Sequence, residues 1–265
     1  MENPLTISNS KINFSIVTIS KNDFDGLKET VRSLLSQEYK NWELHIVLGN
    51  PTIEEFGYCE ALKSSDSRVS FVRQNGSGIY NAMNQGMNLV KGKFLWFMNS
   101  GDSFFNERTL KQVEEIMANA EIDILIGGYE MKGLEQKVFT FSEIPISARR
   151  FSLNIRSGSH QATIYRIRDL ETLRPFRTDF GIASDFDWLL RELLQKSGFR
   201  SSKIFASIEP GGVSDKKILQ VLHEKQKARN DVFGKYSFDS FLGLLWSLGV
   251  LTKIYFRKIF LIKQK

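Results

Sequence analysis

Short apolar runs rich in β-branched residues alternate with longer stretches whose apolar residues recur every three or four positions. Phe14-Ser15-Ile16-Val17-Thr18-Ile19 reads as a strand, and Leu27, Val31, Leu34 and Leu35 place a helix over 24–37. The alternation continues. Strands are predicted over 42–48, 69–73, 93–98 and 123–127, and helices over 53–64, 79–90 and 109–120. Repeated β-α units of about 30 residues predict an α/β fold with a mostly parallel sheet and helices on both faces. Ligands then belong beyond the C-terminal ends of the strands. After about residue 130 the pattern loosens. Strands are predicted over 138–141 and 162–167, and amphipathic helices over 184–196 and 214–233. No internal repeat or Pro-rich hinge interrupts the chain.

The last segment differs. Ser240 to Thr252 is uncharged, and Lys253, Arg257, Lys258, Lys263 and Lys265 follow, interleaved with aromatic and aliphatic residues. Thirteen uncharged residues are too few for the roughly 20 that span a bilayer. A helix packed on the domain, a dimer contact and an interfacial helix with snorkelling Lys and Arg all remain open. The expected division is a catalytic domain over 1–235 and a basic helical segment over 236–265.

Charge sharpens this division. The chain carries 36 Lys and Arg against 30 Asp and Glu, yet residues 216–265 hold 11 of those cations and only three acids. The body is slightly acidic, which argues against a nucleic-acid groove and for an anionic surface met by one end of the chain. Cys59 is the only cysteine, so neither an intramolecular disulfide nor a cysteine zinc site can form. A reducing, cytosolic setting fits, and the polar residues 1–11 lack the apolar run of a signal peptide.

Five short motifs could carry chemistry. Asn99-Ser100-Gly101-Asp102 follows an apolar strand directly; Asp102 there can hold a divalent cation that grips a diphosphate, or the stretch is only a turn. Gly78 opens a helix whose Asn81 and Asn84 lie one turn apart and could meet a sugar or phosphate, or simply flank a packed face. His160 and Gln161, in Ser157-Gly158-Ser159-His160-Gln161, precede a strand and could donate to a phosphate or orient an acceptor. Asp185, in Ser184-Asp185-Phe186-Asp187, could be a general base or a helix cap. Gly211-Gly212 could cradle a phosphate or serve a turn and a cap at Ser214.

The order of these motifs resembles inverting family 2 glycosyltransferases of the GT-A fold, over roughly residues 12–232. The likeness is greatest to the bacterial exopolysaccharide branch that includes colanic acid glycosyltransferases. It is carried by Gly78-Ile79-Tyr80-Asn81-Ala82-Met83-Asn84-Gln85-Gly86, Asn99-Ser100-Gly101-Asp102, Ser159-His160-Gln161-Ala162, Ser184-Asp185-Phe186 and Gly211-Gly212-Val213-Ser214. Two positions depart: Leu48-Gly49-Asn50-Pro51 lacks the aspartate usual at the nucleotide base, and Arg73-Gln74-Asn75-Gly76-Ser77 lacks a second.

The resemblance implies a nucleotide-diphosphate sugar donor, a divalent cation (Mn²⁺ or Mg²⁺) on Asp102, and Asp185 as the base that deprotonates the acceptor hydroxyl. It implies a donor pocket lined by Thr18, Ser20, Asn50, Asn75, Gly78, Asn81, Asn84 and Ser100. His160, Gln161, Gly211 and Gly212 would close over phosphates or acceptor. The implied acceptor is a glycan, free or linked to a polyprenyl diphosphate, at the cytoplasmic face of an anionic membrane. The departures at Leu48 and Asn75 keep a second reading open, a degenerate sugar-nucleotide-binding or scaffold protein. A nucleotidyltransferase is less apt, because Lys21 after the first strand has no glycine cluster beside it.

Overall fold

The computed structural model describes residues 13–133, 137–153, 158–169, 173–212 and 217–262, with side chains to 252. Residues 1–12, Ser157, Val213, Ser214, Lys263 and Lys265 lie outside the described residues. Two compact units emerge: Met1–Ile146 with Gly158–Thr178 and Lys196–Pro210, and Ser147–Ser157 with Asp179–Gln195 and Gly211–Lys265.

The first unit is a sheet flanked by helices. Its strands are β1 (Phe14–Ser20), β2 (Trp42–Leu48), β3 (Val69–Arg73), β4 (Phe94–Phe97), β5 (Ser103–Phe104), β6 (Ile124–Met131), β7 (Lys137–Phe139), β8 (Ile144–Ile146), β9 (Thr163–Arg166) and β10 (Gly198–Ile208). The order is β3-β2-β1-β4-β9-β6-β10-β5, with β7 beside β6 and β8 beside β10. β1 pairs in parallel with both β2 and β4, β2 with β3, and β6 with β10. β9 runs antiparallel between β4 and β6. β3, β2, β1, β4, β6 and β10 therefore share one direction, the mostly parallel sheet the pattern predicts. Every residue of β1 and β2 is buried because both faces of the sheet are covered.

Four helices belong to this unit: α1 (Phe24–Leu35), α2 (Ile53–Ser65), α3 (Ile79–Met87) and α4 (Thr109–Met117). Asp23 caps α1 by accepting from the Gly26 N–H, and Leu27, Val31 and Leu34 enter the core. Burying such side chains contributes about 1.5–3 kcal/mol each. Thr52 and Glu55 form a capping box on α2. α3 lies close on β1 because position 86 is glycine: a Cβ there would sit 2.3 Å from Val17 Cγ1.

β10 is the main departure from the hydrophobic pattern. Its sequence, Gly-Phe-Arg-Ser-Ser-Lys-Ile-Phe-Ala-Ser-Ile, has Ser and Lys where a strand usually shows a continuous signal, and its register shifts twice against β6. Its pairing with β6 makes it a strand, not its own composition.

The second unit is helical: α5 (Ala148–Ser152), α6 (Ser184–Glu192), α7 (Ile218–Phe233) and α8 (Phe238–Ile262). Arg229 of α7 is 1% exposed and donates from Nε and Nη2 to the Ser152 carbonyl at 3.1 and 2.9 Å. Burial lowers its pKa to about 10, which leaves it cationic at neutral pH.

Candidate active site

The C-terminal ends of β1, β2 and β3 and the turn after β4 surround a cleft of about 670 Å³ in the first unit. Ser20 ends β1, Leu48 ends β2 and Arg73 ends β3, so the sheet itself sets their places. Asn50 lines the cleft with a positive φ of 58°, and Gly78 does so with φ 94° at the N-cap of α3. No side chain caps α3, and the dipole of a helix N-terminus favours an anion. Lys21 and Arg73 bring two cations to the wall. The lining is thus polar and charged, Lys21 and Arg73 sharing it with the Asp23 carboxylate, and Ile19, Leu48 and Ile79 add apolar surface.

Asn99 and Ser100 form part of the lining. Ser100 Oγ donates to Asp23 Oδ2 at 2.8 Å, fixing a carboxylate at the cleft that the sequence motifs do not mark. Asp23 is held in turn from two sides: its Oδ1 accepts from Gly26 N, and its own N–H donates to Glu55 Oε1 at 3.2 Å. Glu55 also accepts from Ser20 Oγ at 3.4 Å, so one buried carboxylate on α2 ties together the two loops at the cleft.

Asp102 closes the same turn but is withdrawn from the wall, at 5% exposed. Its Oδ1 accepts from the Glu209 N–H at 3.0 Å and its Oδ2 from Gln161 Nε2 at 2.7 Å. Burial pushes its carboxyl up to about 6, against the pull of those two donors and of Lys132. Each oxygen keeps a lone pair. A cation that bridges phosphates needs only one or two protein carboxylates and completes its shell with phosphate oxygens and water. A buried carboxylate with neutral donors at both oxygens fits that demand. Among the described residues no cluster of three His, Cys, Asp or Glu could hold an ion by itself.

Several expected donor contacts are placed elsewhere. Thr18 is fully buried inside β1, and the cleft is met by Ile19 and Ser20 instead. Asn84 spends its amide on the Phe176 backbone, accepting from N at 2.8 Å and donating to O at 2.9 Å. Asn81 accepts from Gln85 Nε2 at 2.6 Å, and Gln85 also accepts from the Asn75 N–H at 3.0 Å. Ile79 and Ala82 are the α3 residues on the cleft, because the helix turns its asparagine face away. Gln161 is a clamp on Asp102 rather than a free donor. The His160 ring stacks on Phe97, with centroids 5.2 Å apart.

Asp185 lies in the second unit, in the first turn of α6. It is not the helix cap: Ala183 holds that place without a side-chain bond. Glu224 of α7 serves instead, accepting from Gly181 N at 3.0 Å and from Ile182 N and Ala183 N at 2.8 Å. Lys225 is a charged neighbour of Asp185, its own pKa lowered by burial. Gly211 has φ 87°, and a Cβ at either Gly211 or Gly212 would meet open space.

Comparisons with known proteins identify the family and the fold. The profile of Glycosyl transferase family 2 matches residues 15–194. An uncharacterised glycosyltransferase of Mycobacterium tuberculosis is 27% identical over 228 residues, 84% of this chain and 85% of that protein. A PGL/p-HBAD biosynthesis glycosyltransferase of Mycobacterium bovis is 26% identical over 67% of this chain and 68% of its own length. Among solved structures, S. aureus TarS in complex with UDP superposes with TM-score 0.64 at 17% identity, covering 83% of this chain and 66% of that one. The mannosyltransferase PcManGT of Pyrobaculum calidifontis, in complex with GDP-Man and Mn²⁺, gives 0.60 at 11% identity over 91% of this chain and 75% of that one. The shared architecture is the GT-A fold.

Proposed function

The chain belongs to glycosyl transferase family 2, and from that premise we propose that it moves a sugar from a nucleoside-diphosphate donor to a glycan hydroxyl with inversion at the anomeric carbon. The observation that carries this reading is the cleft at the strand ends, which Lys21, Arg73, Asn99, Ser100 and the start of α3 line together. A diphosphate is the ligand that such a set of cations and backbone donors would hold. TarS is solved with UDP and with UDP-GlcNAc and PcManGT with GDP-Man, which supports a sugar nucleotide here.

The donor lies between Ser20, Asn50, Gly78 and Ser100. The base rests beside Leu48 and Pro51, where Asn50 is the nearest polar side chain on the β2 loop. A divalent cation on Asp102 would offset the charge growing on the leaving diphosphate. Gln161 keeps the Asp102 carboxylate oriented. Asp185 accepts the proton of the acceptor hydroxyl as its oxygen attacks, and Glu224 holds the start of α6 that presents it. Gly211 and Gly212 are the backbone positions proposed to meet the phosphates or the acceptor. The acceptor is a lipid-linked glycan at the cytoplasmic membrane face, a reading in keeping with the relative in PGL/p-HBAD biosynthesis.

The test is a panel of UDP- and GDP-sugars scored first by thermal shift with Mn²⁺ and then by transfer to glycan acceptors, with the product anomer read by NMR. A bound donor at about 100 times its Kd raises stability by about 2.7 kcal/mol. Binding with no transfer to any acceptor would favour the degenerate binding protein that Leu48 suggests. Binding of no sugar nucleotide would sink both readings.

A further inference from the structure

α8 is built with its polarity inverted. The face turned to the protein carries small residues: Ser240, Gly243 and Ser247 are buried. Gly243 is required there, because a Cβ would stand 2.3 Å from Arg229 Cδ. Ser240 Oγ donates to the Gly234 carbonyl and Ser247 Oγ to the Gly243 carbonyl, so the hydroxyls of the inner face are satisfied. Trp246 lies by the Arg229 guanidinium, its ring centroid 5.7 Å away; five other large apolar residues are exposed. Phe238, Phe241, Leu244, Leu245 and Leu248 are 62, 54, 46, 47 and 51% exposed. Their spacing makes one continuous outward stripe, which a folded chain in water alone would not keep exposed.

We infer that this outward stripe of α8 seats on an anionic lipid surface. At 25 residues the helix is about 37 Å long, and among the described residues no helix is long and apolar enough to cross a membrane. It would therefore lie along the surface, not through it. The sequence supplies the matching charge. Beyond Asp239 no acidic residue follows, while Lys253, Arg257, Lys258, Lys263 and Lys265 do. An exposed apolar stripe continued by a basic, acid-free stretch is a pattern that meets acyl chains and anionic headgroups together. A second copy is the poorer occupant, since it would bring two basic segments onto one another.

The seating needs nothing from the transfer chemistry, so each can fail alone. Full-length chain is sedimented with phosphatidylglycerol vesicles and with phosphatidylcholine vesicles, at low and high salt. It should bind the anionic vesicles, and high salt should weaken that binding without abolishing it, because only the electrostatic part is screened. Leu245→Glu with Leu248→Glu should lose at least tenfold in vesicle affinity. Should that pair unfold, Leu245→Ser with Leu248→Ser carries the same test with a smaller loss. Lys253→Gln with Lys258→Gln should lose roughly fivefold per lysine at low salt and keep the remaining binding at high salt. Full-length chain that ignores phosphatidylglycerol vesicles at low salt overturns the inference. So does vesicle binding that the Leu245 and Leu248 variants leave intact. A dimer in solution that those variants split, with no vesicle binding, would assign the stripe to a second copy instead.

Discussion

Gln161 Nε2 donates to Asp102 Oδ2 at 2.7 Å, joining the turn after β4 to the short 3₁₀ turn before β9. Two motifs 59 residues apart in the chain thus meet at one carboxylate. Gln161 is itself fixed: its Oε1 accepts from Ser159 Oγ, and its main-chain carbonyl accepts from Trp96 Nε1 at 2.8 Å. In the proposed reading Asp102 is the metal ligand and Gln161 the group that orients it.

Asp102→Asn should weaken binding of UDP or GDP in the presence of Mn²⁺ while leaving the metal-free affinity little changed. Gln161→Leu should lower the Mn²⁺ affinity of the nucleotide complex by roughly 10-fold or more, the scale of losing an orienting partner. Calorimetric titration with and without Mn²⁺ reads both. Unchanged Mn²⁺ dependence in both variants would remove this pair from the metal.

Asp185→Asn should leave donor binding intact and reduce transfer by roughly 10²-fold or more, the usual loss for a general base. Because Glu224 and not Asp185 caps α6, the variant should melt within a few degrees of the parent. A variant that transfers at near the parental rate would exclude Asp185 as the base.

Glu224→Gln tests the cap itself. Burial alone would raise the Glu224 carboxyl, but the N–H groups of Ile182, Ala183 and Gly181, with the Gln220 side chain, outweigh it and hold it below its usual 4.5. The folded chain therefore binds this proton less tightly than the unfolded chain. The stability it supplies is present above about pH 4.5 and is lost as pH falls through the folded value. At neutral pH the variant should be less stable by about 1–3 kcal/mol. Its stability should also fall less on acidification than the parent's, which denaturant titrations across the acid range would show.

Asn84→Ala should cost about 1–3 kcal/mol of stability, since it removes two hydrogen bonds to the Phe176 backbone, and should leave donor affinity unchanged. Chemical denaturation and donor titration separate the two effects. Loss of donor affinity at full stability would return Asn84 to the donor pocket.

The alternation of strands and helices up to residue 130 was legible because both periodicities are properties of the local chain. So was the position of Asn99–Asp102, since a polar turn after an apolar strand in such a fold must fall at the ligand edge. The outward stripe of α8 was legible as an apolar run but not as a face, because only the packing of Gly243 on Arg229 turns Phe241 outward. β10 was invisible because pairing with β6 outweighs its own composition. Asp23 carries no motif and reaches the cleft from the loop after β1, while only the fold sets the buried Glu55 carboxylate against its N–H. Asn84 shows the same limit: its spacing from Asn81 is a fact of one helix, but its partner Phe176 stands 92 residues away. Sequence periodicity determines which residues can share an element's face. Which distant backbone or carboxylate that face meets is decided by long-range packing, which leaves no local trace.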